Sequence, residues 1–135
     1  MFGDGSFGIS VGELETLVRL GLPALLLHFN NGAFGLIKGV QRLHGHNQTH
    51  SVDFSAANAA LIAQAFGMKA WQVTDGESLD LALDAALAYP GPSFIDLIVE
   101  SIADVAPPIA SWIRKLGHDP LSLEPDDRIQ IVPGG

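Results

Sequence analysis

GDGSFGISVGELETLVRLGLPALLLHFNNGAFG, residues 3–35, is the stretch from which the rest of the chain can be read. It opens on a glycine turn, Gly3-Asp4-Gly5, passes through an amphipathic segment and an apolar run, and closes on a polar turn, Asn30-Asn31-Gly32. Ser10-Val11-Gly12-Glu13 has the form of a capping box, and Val11, Leu14, Leu17 and Val18 repeat on one helical face. This predicts a helix to about Leu20, stopped by Gly21 ahead of Pro23. Leu22–Phe29 is a continuous apolar run of strand length, the pattern of a strand covered on both faces. The 24 residues between Gly5 and Asn30 suffice for one helix and one returning parallel strand. Asp4 and Asn31 then stand at the carboxyl ends of neighbouring strands, the edge at which open α/β sheets bind ligands.

A carboxylate and a neutral amide oxygen meeting there suit a hard cation that keeps part of its shell for phosphate, as magnesium does. The glycines beside them let backbone N–H groups approach an anion closely. In these residues the chain resembles the thiamine-diphosphate-dependent enzymes, whose cofactor motif is a GDG followed some two dozen residues later by NN. Within that family it is most similar to the acetolactate synthase and 2-oxo acid decarboxylase branch. SVDFSAANAALIAQAFG, residues 51–67, and GPSFIDLIVE, residues 91–100, continue the resemblance, and the segment from Ile102 carries less of it.

The resemblance implies a three-layer α/β/α fold with a mostly parallel sheet, the thiamine-diphosphate-binding fold in incomplete form. It implies a partial diphosphate- and magnesium-binding domain over 1–101 and a C-terminal extension over 102–135. Asp4 would supply a carboxylate oxygen to Mg²⁺, Asn31 its amide oxygen and Ala33 its backbone carbonyl. Gly3 belongs to the same turn, Gly5 and Ser6 would offer N–H groups to the diphosphate, and Phe34 and Gly35 would border it. In enzymes of this kind the glutamate that activates the cofactor comes from a pyrimidine-binding domain or subunit. Nothing places Glu13 or Glu15 in that role, so no catalytic residue is expected in this chain and half an active site is. A strand precedes the GDG turn in the family, whereas Met1 and Phe2 alone precede it here, so the chain is expected to begin inside its domain. The Leu22–Phe29 strand would then be left as an edge that pairs with a second copy in a homo-oligomer.

Farther along, the pattern predicts a helix over 34–43 with Phe34, Ile37 and Val40 inward. A helix capped by Ser55 follows, with Leu61, Ile62 and Ala65 inward and Gly67 as its stop. Ala70–Val73 reads as a strand, Asp75 as the cap of a helix to about Tyr89, and Ser93–Val99 as the last strand. His44, His46 and His50 share a polar loop that could be drawn as a metal site, but loose spacing and the lack of a carboxylate favour a solvated loop at the mouth of the site. The proline- and acid-rich tail beyond Ile102 reads as an extension, packed on the domain or closing over the site.

Composition limits the partners. With 135 residues, net charge −8, 47% hydrophobic and 16% charged residues, the chain is one domain that buries sheet faces and meets another protein surface. The acidic balance argues against nucleic acid and anionic membranes. The uncharged run over 20–37 is interrupted by Gly21, Pro23, His28 and the asparagines, which makes it a strand and not a membrane span. With no secretory pattern at the start, a cytoplasmic location is expected. Two other readings stay open. Residues 3–8 also fit G-x-G-x-x-G, although a dinucleotide site wants an acid, not Asn-Asn, at the end of the next strand. The other is a non-catalytic interaction domain with a vestigial site.

Overall fold

In the computed structural model, residues 1–44 and 48–101 are described. They form, in chain order, β1 (Phe2–Gly3), α1 (Asp4–Ser10), α2 (Glu13–Arg19), β2 (Leu25–Asn30) and α3 (Gly35–His44). There follow α4 (Ala59–Ala65), β3 (Lys69–Val73), α5 (Gly76–Leu87) and β4 (Ser93–Ile98). The four strands pair in parallel in the order β1-β2-β4-β3.

Alternation along the strands sorts side chains into two layers. Leu26, Ala70 and Phe94 share one face with Leu14 of α2 and Ala59, Ala60 and Ala63 of α4, while Phe2, Phe7 and Val11 pack against the same cluster. Leu25, Leu27, Trp71, Val73, Ile95 and Leu97 share the other face with Leu79, Ala82, Leu83 and Ala86 of α5. Phe94, on the most interior strand, is wholly buried, and a phenylalanine removed from water in this way stabilises the fold by about 1.5–3 kcal/mol. This is the expected three-layer α/β/α arrangement.

Two predicted helix stops have the same physical basis. Gly21 and Gly67 both take positive φ, +61° and +98°. The next residue's N–H reaches back five residues, Leu22 to the Leu17 carbonyl and Met68 to the Ala63 carbonyl, each at 3.1 Å. These are Schellman ends, which glycine permits because it has no Cβ.

Other expectations need correction. The helical conformation begins at Asp4, so Ser10 lies in the last turn of α1 and its hydroxyl donates to the Ser6 carbonyl at 2.7 Å. The capping box is therefore not formed, and Gly12 precedes α2 without a side-chain cap. Asn58, not Ser55, caps α4, its Oδ1 accepting the Leu61 N–H at 2.9 Å. That start turns Ala59, Ala60 and Ala63 onto the sheet and leaves Leu61 and Ala65 exposed. Short side chains bring α4 close to the strands, which the larger apolar residues of the same helix could not do. In α3, Ile37 is exposed, as is Phe34 just before it. The β2 edge is covered in part: Phe2 and Gly3 pair with His28 and Phe29 on one side, while the whole of β2, Leu25–Asn30, pairs with β4 on the other. Residues 102–135, where the tail was read, lie outside the described residues.

Candidate functional site

The carboxyl ends of β1 and β2 bring the two predicted turns together. β1 ends at Gly3 and α1 begins at Asp4, half-buried, while β2 ends at Asn30 and hands over to Asn31. Asp4 Oδ2 accepts the Asn31 backbone N–H at 3.0 Å, a contact across 27 residues of sequence. Asn31 Oδ1 in turn accepts the Ala33 N–H at 3.0 Å, closing a local side-chain turn. A short antiparallel bridge, Ala33 to Asp53, holds the far side of that turn, with the Phe34 N–H donating to the Val52 carbonyl and the Phe54 N–H to the Gly32 carbonyl, both at 2.8 Å. Lys38 Nζ meets Asp53 Oδ1 at 2.7 Å and pins α3 to the same loop. Ala33 is buried, and Gly35 opens α3.

The Phe34 ring occupies the space where a side chain on residue 5 would stand. A Cβ on Gly5 would lie 2.6 Å from Phe34 Cε1, far inside contact distance. The Phe34 ring packs on Phe54 with centroids 4.6 Å apart. Gly3 caps α1 without a side-chain hydrogen bond, so the first-turn N–H groups at Gly5 and Ser6 have no side-chain acceptor of their own. A cleft of about 740 Å³ opens at this edge, bordered by Asp4, Asn31, His28, Phe7, Asn58 and Val99 among others.

Beneath Asp4 lies a polar row that the sequence reading did not identify. His28 on β2 is in register with Asp96 on β4, which is in register with Gln72 on β3. All three point to the α1/α2/α4 face, with Asn30 two residues beyond His28. Asp96 is wholly buried, yet Oδ1 meets His28 Nδ1 at 2.8 Å and Asn30 Nδ2 at 3.1 Å, and Oδ2 accepts from Gln72 Nε2 at 3.0 Å. Burial by itself would raise the Asp96 pKa; the hydrogen bonds from His28, Gln72 and Asn30 together outweigh it and hold the carboxyl below its ordinary value. An ionised Asp96 only accepts, so His28 Nδ1 carries a proton. Nε2 of the same ring faces Asp4 Oδ1 at 3.7 Å. The only sign of this row in the sequence was a histidine inside an apolar strand and an acid in the middle of SFIDLIV.

The remaining sequence candidates do not gather here. Glu13 accepts from Thr16 and Glu15 pairs with Arg19 at 3.0 Å, both on the exposed side of α2. His44 and His50 are exposed, the His50 backbone N–H donating to Gln41 Oε1 and its carbonyl accepting from Gln41 Nε2, and His46 lies outside the described residues. Among the described residues no group of three or more His, Asp or Glu side chains could hold a metal.

A parallel sheet whose carboxyl edge carries a glycine turn, an acid and an asparagine turn defines the cofactor-binding class of α/β domain. The chain belongs to the family described as thiamine pyrophosphate enzyme, C-terminal TPP binding domain, which it matches over residues 1–97. Thiamine diphosphate is the cofactor of that family, and the dinucleotide reading is set aside. The acetolactate synthase large subunit of Porphyra purpurea is 32% identical over 110 residues, 80% of this chain and 19% of that protein. The acetolactate synthase of Bacillus subtilis (strain 168) is 33% identical over 98 residues, 73% of this chain and 17% of that one. The chain thus spans about a fifth of the length of these relatives. Among solved structures, the thiamine diphosphate-dependent 4-hydroxybenzoylformate decarboxylase of Rhodococcus jostii RHA1 shares the fold with a TM-score of 0.70 at 23% identity, over 75% of this chain and 19% of that one. Benzoylformate decarboxylase from Polynucleobacter necessarius aligns with a TM-score of 0.68 at 26% identity, over 73% of this chain and 19% of that one.

Proposed function

We propose that this domain holds thiamine diphosphate through Mg²⁺, as the diphosphate-binding portion of an enzyme that cleaves or forms a carbon–carbon bond at a 2-oxo acid. The observation that carries the reading is the meeting of Asp4 and Asn31, whose backbone N–H donates to Asp4 Oδ2 at 3.0 Å, at the carboxyl edge of neighbouring parallel strands. The donor set fits the group: Asp4, Asn31 and the Ala33 carbonyl are hard oxygen ligands, few enough to leave room for phosphate oxygens and water. Gly5 and Ser6 lend N–H groups to the diphosphate, with the Ser6 hydroxyl as a further donor, and Gly3, Phe34 and Gly35 shape the approach. When bound, thiamine diphosphate supplies a thiazolium carbon that can add to a carbonyl and hold the electrons released when a neighbouring bond breaks. The part of this chain is to bind, orient and keep the metal-held end of the cofactor in place.

The activating glutamate is taken to come from a pyrimidine-binding domain or partner subunit, since both glutamates of α2 are engaged away from the site. The chain alone is then catalytically silent. The exposed Phe34, Leu36 and Ile37 at the start of α3 offer an apolar surface for such a partner or for a second copy in a homo-oligomer. Residues 102–135 form a C-terminal extension to the binding domain of 1–101. No helix among the described residues is long and apolar enough to cross a membrane, and a cytoplasmic setting is part of this proposal.

Calorimetry provides the test. Thiamine diphosphate titrated into the chain gives heat with Mg²⁺ present, and none after chelation or in Asp4→Ala. Binding that ignores the chelator refutes the metal assignment. Complete absence of binding in the wild-type chain favours the vestigial interaction domain instead.

A further inference from the structure

Asn31 is the only asparagine of the chain followed by glycine: Asn30 precedes Asn31, Asn47 precedes Gln48 and Asn58 precedes Ala59. An asparagine side chain can close on the backbone nitrogen of the next residue to form a five-membered succinimide. A side chain on that next residue hinders the approach, and glycine has none. The fold adds conditions of its own. Asn31 stands just past the end of β2, half-buried on the wall of the cleft. Gly32 is exposed, takes φ +68° and has nothing within 4 Å of where a Cβ would stand, so water reaches the peptide between the two residues. The N–H groups on either side are engaged, Asn31 with Asp4 Oδ2 and Ala33 with Asn31 Oδ1, both at 3.0 Å. The Gly32 N–H between them donates to no group among the described residues, and no strand ladder restrains it. The bond from Ala33 to Asn31 Oδ1 is an Asx turn, which folds the side-chain carbonyl back over the Gly32 peptide and polarises the carbon that the nitrogen would attack. Asn30 and Asn58 are held differently. Asn30 Nδ2 donates to Asp96 Oδ1 from within β2, and Asn58 Oδ1 accepts the Leu61 N–H at the head of α4, where Ala59 is already helical.

We propose that Asn31 is a site of spontaneous deamidation, a modification that alters the ligand edge while the rest of the fold stands. The Gly32 nitrogen adds to Asn31 Cγ and gives up its proton; the bond from Cγ to Nδ2 breaks, and the side-chain nitrogen leaves as ammonia. Water then opens the succinimide. Cleavage of the new Cγ–N bond leaves aspartate at position 31, and cleavage of the original backbone C–N bond leaves isoaspartate, with the main chain running through Cβ and Cγ. Water enters, ammonia departs, and no oxidant or reductant is needed. Neither product is equivalent to asparagine here. Aspartate sets a second carboxylate beside Asp4, whose Oδ2 lies 3.0 Å from the backbone nitrogen of the same residue, and like charges oppose one another there. Isoaspartate lengthens the main chain between β2 and the Ala33–Asp53 bridge, so that Asp4 and the Ala33 carbonyl lose their spacing. The effect on binding rests on the magnesium and thiamine diphosphate reading; the modification itself does not.

The experiment incubates the folded wild-type chain, free of metal and cofactor, at mildly alkaline pH and follows each asparagine by peptide mass spectrometry with fragmentation. A parallel sample is unfolded in urea, and Asn31→Gln serves as the control, since its longer side chain cannot close the five-membered ring. In the folded chain, position 31 takes on the mass of an amide-to-acid exchange ahead of Asn47 and Asn58 and is recovered as aspartate and isoaspartate, while that segment of Asn31→Gln keeps its mass. Conversion at position 31 only in urea, or behind Asn47 or Asn58 in the folded chain, overturns the proposal. The isoaspartate fraction, separated from the fresh chain by ion exchange on its added negative charge, is then titrated with thiamine diphosphate and Mg²⁺ by calorimetry. Binding is present in the fresh chain and lost in that fraction; equal binding in both overturns the stated effect on the site. If the fresh wild-type chain binds no thiamine diphosphate with Mg²⁺, the cofactor reading fails, while the mass spectra still decide whether Asn31 is the modified residue.

Discussion

Removing the Asp96 carboxylate is the sharpest test of the buried polar row. Asp96→Ala deletes the acceptor of three side-chain donors: His28 Nδ1 at 2.8 Å, Gln72 Nε2 at 3.0 Å and Asn30 Nδ2 at 3.1 Å. The losses are unequal. Gln72 is exposed and Asn30 half-buried, so water replaces the acceptor for both at little cost. His28 is 1% exposed and has no such substitute. Leaving a buried donor without its acceptor costs about 1–3 kcal/mol, and nearly all of that is expected from His28. A domain of this kind has about 5–15 kcal/mol in total, so the variant folds with a reduced margin. With a urea slope of roughly 2 kcal/mol/M, the midpoint falls by about 1 M. Asp96→Asn keeps the volume and one acceptor, and loses about 1–3 kcal/mol. The pH dependence follows from the depressed folded-state pKa of Asp96. Its contribution is fully present above the unfolded carboxyl value of about 3.9 and is lost as pH falls through the lower folded value. The gap between wild type and Asp96→Asn, followed by urea denaturation and circular dichroism, is therefore constant near neutrality and closes below about pH 4. A loss under about 1 kcal/mol in Asp96→Ala, or a gap that widens in acid, would refute the reasoning.

Gly5→Ala places a Cβ 2.6 Å from the Phe34 ring; the half-exposed ring swings off Phe54 at a cost of about 0.5–1.5 kcal/mol, seen as a lower melting temperature and weaker thiamine diphosphate binding. Asn58→Ala removes the cap of α4 and lowers stability by about 1 kcal/mol in urea titrations, without changing the Mg²⁺ requirement of cofactor binding. Chelation of protein free of thiamine diphosphate and magnesium leaves the melting temperature unchanged, since a native-state metal at His44, His46 and His50 would stabilise by mass action; a metal-dependent shift that survives Asp4→Ala would reverse that reading. With pyruvate, cofactor and Mg²⁺ the isolated chain shows no turnover near an ordinary enzyme's roughly 1–10³ s⁻¹, while light scattering at micromolar concentration reports an oligomer; a monodisperse monomer contradicts the second expectation.

Local chemistry carried the sequence a long way. Gly21 and Gly67 stop helices because their backbone requirement is written in one residue, and Asp75 caps α5 by accepting the Ser78 N–H at 2.8 Å, as its position predicts. The order of helices and strands from β2 onward was legible in the pattern, and spacing allowed the GDG turn to meet Asn31, although two helices, α1 and α2, fill the crossover where one was expected. The same local rules misplaced Ser10 and Ser55. A serine two or three residues from a helix start satisfies the pattern, but packing of α1 and α4 against the sheet chose where each helix begins.

The polar row is the part that only tertiary structure decided. His28 and Asp96 are 68 residues apart, and nothing near either one indicates that they meet. Alternation assigns each to a face of its own strand, but the register between β2 and β4 decides that they stand side by side. A slip of one residue along β4 would place Ile95 or Leu97 opposite His28 and turn the acid toward the other layer. Strand order has the same effect: β4 lies between β2 and β3, so one carboxylate serves His28 on one side and Gln72 on the other. The amino-acid order therefore determined which chemistry sits at the ligand edge, and the sheet determined which buried groups stand behind it, because hydrogen-bonded register is a property of pairs of strands and of no single segment.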